Sequence, residues 1–341
     1  MKEILHKTSS SALPRALSDW SKLVLDAHQR IESLVMKTPV ESISDLANGS
    51  SVQLLAKLEN LQQTGSFKLR GATNKISLLT AQQRAAGVIA ASNGNHGIGV
   101  ALAAKNAGVA AQIYVSSHLS PYKAGRIEQH GAQICRTGDS PLEAELAGRQ
   151  ASIQSGRVFI SPYNDVDVIA GQGTIAVELQ DQVPSAGASR PGPALDAIFV
   201  AVGGGGLIGG IGAYLKTVAP HVEVVGCWPH NSPVLYECIK AGKILDVPEQ
   251  PTLSESTAGG LEPASVTFDL CRRVIARSVL VSEEEILAAM RKARELKGWL
   301  IEGAAGVALA AALKTIDDYK GKTIMVVICG GNVSPELLQT L

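Results

Sequence analysis

Four short segments carry residue types and spacings that can do chemistry. The first is QTGSFKLRGA, residues 63–72. Ser66 has the side chain of a helix N-cap, so Phe67, Lys68 and Leu69 are expected to open a helix. A cation in the first turn opposes the helix dipole and Arg70 adds like-charge repulsion, so Lys68 is expected to favour its neutral amine. Such an amine is a nucleophile that condenses with carbonyl groups. Alone, the motif fits a solvated lysine at a helix end just as well, so its meaning depends on its company. The second segment is SNGNHG, residues 92–97, between a predicted strand and a predicted helix. Helix amides there attract anions, and Ser92, Asn93, Asn95 and His96 add side-chain donors suited to a carboxylate. On its own, His96 reads as a capping residue.

The third segment is GGGGLIGG, residues 203–210. Four consecutive glycines permit a nest of backbone N–H groups that can cradle a phosphate with no cationic side chain. Gly204, Gly206 and Gly209 also satisfy the G-x-G-x-x-G spacing of a dinucleotide site. That reading wants an acidic residue at the end of the next strand, where Gly226, Cys227 and Trp228 stand instead. The fourth segment is ICGGN, residues 328–332, in which Cys329 closes a late strand and is either a plain buried thiol or a partner for a ring nitrogen.

These segments need a scaffold that presents them together. From Val88 onward, short apolar runs alternate with Gly or Asn and then Ala-rich helical stretches, which implies parallel α/β architecture. Strands are expected at 87–92, 111–116, 132–137, 157–161, 196–202, 222–228 and 323–328. Each run is short and apolar, as strands covered on both faces are. A helix is expected over 97–108, ended by Gly108, and another over 282–297 with Ser282 and Glu285 spaced as a capping box. The Pro-, Gly-, Ala- and Ser-rich stretch at 184–195 reads as a surface connection.

Composition narrows the function classes. The 341 residues suffice for about two domains, and 45% apolar against 18% charged residues supports a folded core. Thirty-one basic residues balance 31 acidic ones, so there is no net field to gather nucleic acid or anionic lipid. The uncharged stretch Ala197–Leu215 has the length of a membrane span, but seven of its residues are Gly, so strand, loop and helix is the expected reading and no membrane partner is expected. Five scattered cysteines without a C-x-x-C pair fit a reduced, cytoplasmic setting. The start, MKEILHKTSSSALPR, has no apolar secretory region and is expected to be a frayed leader.

Taken together and in order, KLENLQQTGSFKLRGATN (57–74), SNGNHG, DVIAGQGT (167–174), VGGGGLIGG (202–210), IEGAAGV (301–307) and CGGN resemble the fold-type II pyridoxal-phosphate enzymes of the serine/threonine dehydratase and serine racemase family. The resemblance runs from Thr38 to Asn332. It implies two parallel-sheet α/β lobes with pyridoxal 5′-phosphate (PLP) between them, a large domain of 1–79 and 157–341 and a small domain of 80–156, and a homodimer. By the same resemblance Lys68 is the Schiff-base lysine and Phe67 lies beside the cofactor ring. Asn95 bonds the ring hydroxyl, Gly203, Gly204, Gly205 and Gly206 hold the phosphate, Leu207 also belongs to the cofactor-binding set, and Cys329 faces the pyridine nitrogen. Ser92, Asn93 and His96 take the substrate carboxylate. The activity implied is β-elimination from a small-molecule L-β-hydroxy-α-amino acid of the threonine, serine or phenylserine type, giving a 2-oxo acid and ammonia. A β-replacement enzyme of the cysteine-synthase kind, and less so a nicotinamide-dependent oxidoreductase, are the alternatives.

Departures from the family pattern sharpen these expectations. Asn93 stands where related racemases place a proton-exchanging serine, so little racemase activity is expected. Trp228 and Val234 stand where metal-dependent members carry carboxylates, so no metal site is expected. Tyr163 replaces a Phe common in the substrate loop of threonine-type members. No regulatory domain is expected after Asn332.

Overall fold

The computed structural model of the chain describes residues 14–47, 49–184 and 192–341. Nearly all of the expected leader and most of the connection at 184–195 lie outside the described residues. Among the described residues, the strands are β1 Val40–Ser42, β2 Gln53–Leu58, β3 Val88–Ala91, β4 Ala111–Val115, β5 Gln133–Arg136, β6 Val158–Phe159, β7 Ala197–Ala201, β8 Glu223–Pro229, β9 Arg277–Val281 and β10 Thr323–Ile328. They form two sheets, one ordered β1-β2-β10-β7-β8-β9 and the other β5-β4-β3-β6. Only β1 runs antiparallel to its neighbour. β10 sits centrally, paired with β2 from Thr323 opposite Gln53 to Ile328 opposite Leu58, and with β7 on its other side. Its residues Ile324, Met325, Val326, Val327 and Ile328 are fully buried, each stabilising the sheet by roughly 1.5–3 kcal/mol.

The chain leaves the larger sheet after β2, builds the four-stranded sheet and returns at β7, so the smaller lobe is an insertion. The expected boundary at 156/157 cuts through that lobe. β6 pairs with β3, Val88 opposite Val158 and Ile89 opposite Phe159, because this short strand completes the small sheet before the chain crosses back. The Lys68–Ser77 helix is also shared. Leu69, Ala72 and Ile76 pack in the same apolar cluster as Val88, Ile98, Val100 and Ile113, although the expected boundary places them in the large domain.

Strands β1, β2 and β9 escaped the sequence reading. In β2 the buried cation Lys57 interrupts the apolar run, and β9 is an edge strand that opens with Arg277 and Ser278. Elsewhere the local signals hold. Gly108 closes the Asn95–Ala107 helix in a left-handed conformation, and Ser282 caps the Glu283–Lys297 helix with Glu285 returning the bond.

A fully buried ion network anchors the Lys68–Ser77 helix. Arg70 donates to Glu59 Oε1 and Oε2, both at 2.8 Å, to Glu178 Oε2 at 3.0 Å and to Thr174 at 3.2 Å. Lys57 donates to Glu178, to Gln182 Oε1 at 2.8 Å and to the Thr38 carbonyl at 2.7 Å. Burial alone would raise the Glu59 carboxyl, but the Arg70 guanidinium outweighs it and holds the group below its usual range. Two cations therefore face two carboxylates in the interior. Against the same Val166–Gln182 helix that carries Thr174 and Glu178, Gly71 meets Gly171, whose hypothetical Cβ would lie 2.6 Å from the Gly71 Cα, so the two helices pack backbone to backbone.

Candidate active site

The carboxyl ends of β3, β7 and β10 open on one cleft of about 780 Å³, the place where open parallel sheets put their ligands. Lys68 lines its floor as the first residue of its helix. Ser66 is not the cap: Phe67 occupies that position in a helical conformation, while Ser66 forms a bridge to Gly330 and its hydroxyl is buried without a partner. Strand pairing wins because the segment must dock on the end of β10, where the Phe67 N–H also donates to the Cys329 carbonyl at 3.0 Å.

The Lys68 Nζ donates to the Pro162 carbonyl at 2.9 Å and lies 5.1 Å from the Phe67 ring centroid. Burial brings its pKa down to about 8, against the opposing pull of Cys329 and Glu302. The cause differs from the one expected. Arg70 is two residues along a helix and so faces elsewhere, neutralised by Glu59 and Glu178. At pH 7 the buried amine is free in about a tenth of molecules, roughly 300-fold more than for an ordinary lysine. Capture of PLP by the cofactor-stripped protein is therefore expected to rise about tenfold from pH 6 to pH 7 and to level off above about pH 9. Stopped-flow measurement of capture across this range checks it; a rate still climbing tenfold per pH unit at pH 10 contradicts it.

The glycine loop follows β7. Gly205, at φ 85°, takes the left-handed turn that starts the Gly206–Val218 helix. Gly204 lies flat against the Tyr163 ring: an added Cβ would come within 2.4 to 2.7 Å of three ring atoms. An added Cβ at Gly203 would lie 2.8 Å from the Thr257 Cα. The loop thus offers amides and no side chains, as a phosphate nest requires, and Leu207 borders it in the cleft. Gly204→Ala is expected to weaken PLP binding about 10- to 100-fold, because overpacking of this kind costs about 1–3 kcal/mol. Titration of the cofactor-free variant checks this; unchanged affinity would show that the loop tolerates the added methyl.

Cys329 directly follows β10 and is 2% exposed. Burial, reinforced by the nearby Glu302 carboxylate, raises its pKa well above the ordinary thiol value, so it faces the cleft as a neutral thiol.

The carboxyl end of β3 carries the polar set. Ser92 Oγ accepts the Gly94 N–H at 3.1 Å, which leaves its own proton to donate. Asn93 is pinned by Ser116, donating to its Oγ at 2.9 Å and accepting from its N–H at 3.0 Å. The first-turn amides of the Asn95–Ala107 helix point the same way. The His96 side chain does not reach the cleft: Nε2 donates to the Ile160 carbonyl at 2.8 Å, Nδ1 is buried without a partner, and burial depresses its pKa to about 3. What His96 offers an anion is its backbone amide.

Glu302 is the residue the sequence reading missed. It lines the cleft 7% exposed and accepts from Asn95 Nδ2 at 2.9 and 2.8 Å and from Ser256 Oγ at 3.0 Å. Asn95 in turn accepts from Asn332 Nδ2 at 2.6 Å, and Asn332 accepts from Arg126 of the small lobe at 3.0 Å. Glu302 lies in the IEGAAGV segment, and its place just before a helix is the signal the sequence carries for it. Trp228 is buried at the end of β8 with its ring 5.6 Å from that of Tyr236, and Val234 is buried as well.

A buried, partly neutral lysine, a side-chain-free nest and a neutral thiol, all at the ends of parallel strands, fit a phosphorylated aromatic aldehyde. The family model described as "Pyridoxal-phosphate dependent enzyme" matches residues 31–330. The chain belongs to the pyridoxal-phosphate-dependent enzymes. Within that family it is 36% identical over 318 residues to an L-threonine ammonia-lyase of Thermotoga maritima, covering 93% of this chain and 77% of the relative. It is 33% identical to the L-threo-3-hydroxyaspartate ammonia-lyase of Saccharomyces cerevisiae, over 93% and 94% of the two chains. The serine racemase structure of Dictyostelium discoideum superposes with a TM-score of 0.82 at 33% identity, covering 92% of this chain and 98% of that one. The PLP enzyme described here is thus a fold-type II ammonia-lyase of the serine/threonine dehydratase and serine racemase family, and its resident cofactor is PLP.

Proposed function

We propose that this PLP-dependent dehydratase acts on an L-β-hydroxy-α-amino acid with an uncharged side chain, of the threonine, serine or phenylserine type, releasing a 2-oxo acid and ammonia. One observation carries the reading: Lys68, a buried amine poised near neutrality, shares the cleft with Cys329, a thiol that stays neutral. In this reading Lys68 holds the cofactor, the 203–207 loop its phosphate, Asn95 and Glu302 the ring's hydroxyl edge, and Cys329 its nitrogen. Ser92, Asn93 and the helix amides, including that of His96, take the substrate carboxylate.

When bound, the cofactor supplies an electron sink for the charge left at Cα. Lys68, freed by the incoming amino acid, removes the Cα proton as general base. Cys329 cannot keep a ring nitrogen protonated as a carboxylate would, so the sink is weak and charge leaves promptly with the β-hydroxyl. Elimination is favoured over transamination on that ground.

The side-chain end of the cleft supports the uncharged class. Asp246 and Glu249 line it, as do Glu145 and Glu262, both paired with Arg149 behind them, and Lys68 is the one Lys or Arg among the lining residues. A carboxylate side chain such as that of hydroxyaspartate meets like charge there, at a cost of several kcal/mol. In a panel of L-threonine, L-serine, threo-phenylserine and threo-3-hydroxyaspartate, the best uncharged substrate is expected to exceed hydroxyaspartate about 100-fold or more in kcat/KM. Hydroxyaspartate as the best substrate overturns the specificity reading, and silence on all four overturns the dehydratase reading.

We further propose a cytoplasmic homodimer. Five unpaired cysteines support the compartment. Exposed Leu34, Met36 and Leu61, gathered by the two bonds between Gln62 and the Met36 backbone, support a partner face. Among the described residues no helix is long and apolar enough to cross a membrane.

A further inference from the structure

Beyond the cofactor end, the cleft continues into an outer chamber between the lobes. Tyr163 stands at the passage: its ring lies against Gly204, and its phenol oxygen accepts the Glu262 N–H at 2.9 Å, which ties the 258–263 loop to it. Across the chamber runs the Pro141–Ser155 helix of the small lobe, whose Arg149 reaches over to the Glu262 carboxylate at 2.8 Å. Leu142 and Leu146, seven and three residues before Arg149, share its helix face, and both line the cleft. From the large lobe Val247 and Leu261 line it as well, half-buried against that lobe's core.

Most polar groups of this chamber are engaged. Glu145 and Glu262 pair with Arg149, and Glu249 accepts from Ser232 and from the Gly259 N–H at 2.8 Å. The leucines of the helix are not. Leu142, 65% exposed, is the most exposed large apolar side chain among the described residues. Single exposed leucines are ordinary, but four apolar side chains from two lobes around one cleft make a surface for a ligand to cover. The loop also leaves room: beyond its chain neighbours, a Cβ added at Gly259 or Gly260 would meet no atom of the described residues within 4 Å. With the substrate carboxylate at Ser92 and Asn93 and Lys68 on the floor, the substituent on Cβ is the part left to enter this chamber. We infer that Leu142, Leu146, Val247 and Leu261 form the side-chain subsite and that the substrate carries a bulky apolar group of phenyl size on Cβ, an inference that rests on the dehydratase reading above. Serine brings nothing to these walls and threonine only a methyl, whereas a ring offers one face to each lobe.

The test measures 2-oxo acid release by the PLP-loaded enzyme from the four-member panel above, in wild type, Leu142→Ala and Leu146→Ala, with urea midpoints as a control on folding. In the wild type, threo-phenylserine is expected to exceed L-threonine and L-serine about 100-fold in kcat/KM, since even one buried methylene discriminates about 10- to 200-fold. In each variant the phenylserine-to-serine ratio of kcat/KM is expected to fall about tenfold, chiefly through a higher KM for phenylserine, because the lost contact is one of binding and not of chemistry. Any other member of the panel as the best substrate, or a ratio unchanged in both variants, overturns the subsite and leaves the dehydratase reading standing. Silence on all four overturns the dehydratase reading, and the proposal with it.

Discussion

Arg70→Ala is expected to lower the stability of the protein by about 3–5 kcal/mol, the cost of leaving buried carboxylates without their cation. Arg70 is fully buried and serves both Glu59 and Glu178, so its removal leaves two carboxylates facing Lys57 alone. Lys57 already has its pKa lowered, chiefly by burial, and cannot move to cover both without abandoning the Thr38 carbonyl. Because Arg70 lies two residues after Lys68, the loss also loosens the helix start that presents the amine. A urea midpoint compared with wild type measures the effect. A shift equivalent to less than about 1 kcal/mol, the range of an exposed pair, would show that water reaches the cluster and that the network does not anchor the helix.

The same network shows where sequence reading stops. Glycine runs, caps and strand-end motifs are local, so the 203–206 loop, the Gly108 terminus and the Ser282–Glu285 box could be read from residue types and spacing. Charge partners are not local. Arg70 looked like a neighbour of Lys68 because it is close in sequence, but its partners are Glu59 and, 108 residues away, Glu178. Glu302 escaped for the same reason: it meets Asn95 across 207 residues of chain. The edge of the small lobe was misplaced although a strand was expected at 157–161, because the sheet that strand joins is decided by its distant pairing with Val88 and Ile89 and not by its own residues.

Lys68→Ala is expected to reduce ammonia release by about 10³-fold or more, since one amine both holds the cofactor and moves the Cα proton. Stability is expected to stay within about 1 kcal/mol of wild type, because among the described residues the amine makes one hydrogen bond, to the Pro162 carbonyl, and no ion pair. The contrast with Arg70→Ala separates a residue that works from one that positions. Parallel ammonia assays and urea melts of the two variants measure it; a Lys68→Ala enzyme retaining a tenth of wild-type turnover would remove the lysine from the chemistry.

The most direct test of the account is borohydride reduction of the PLP-loaded enzyme followed by mass mapping of its tryptic peptides. The phosphopyridoxyl group is predicted on Lys68, within a peptide spanning 58–70 because trypsin no longer cuts after the modified residue. Label on Lys57, the other deeply buried lysine of the region, or on a surface lysine, with the Lys68 peptide unmodified, would contradict the assignment on which the site is built.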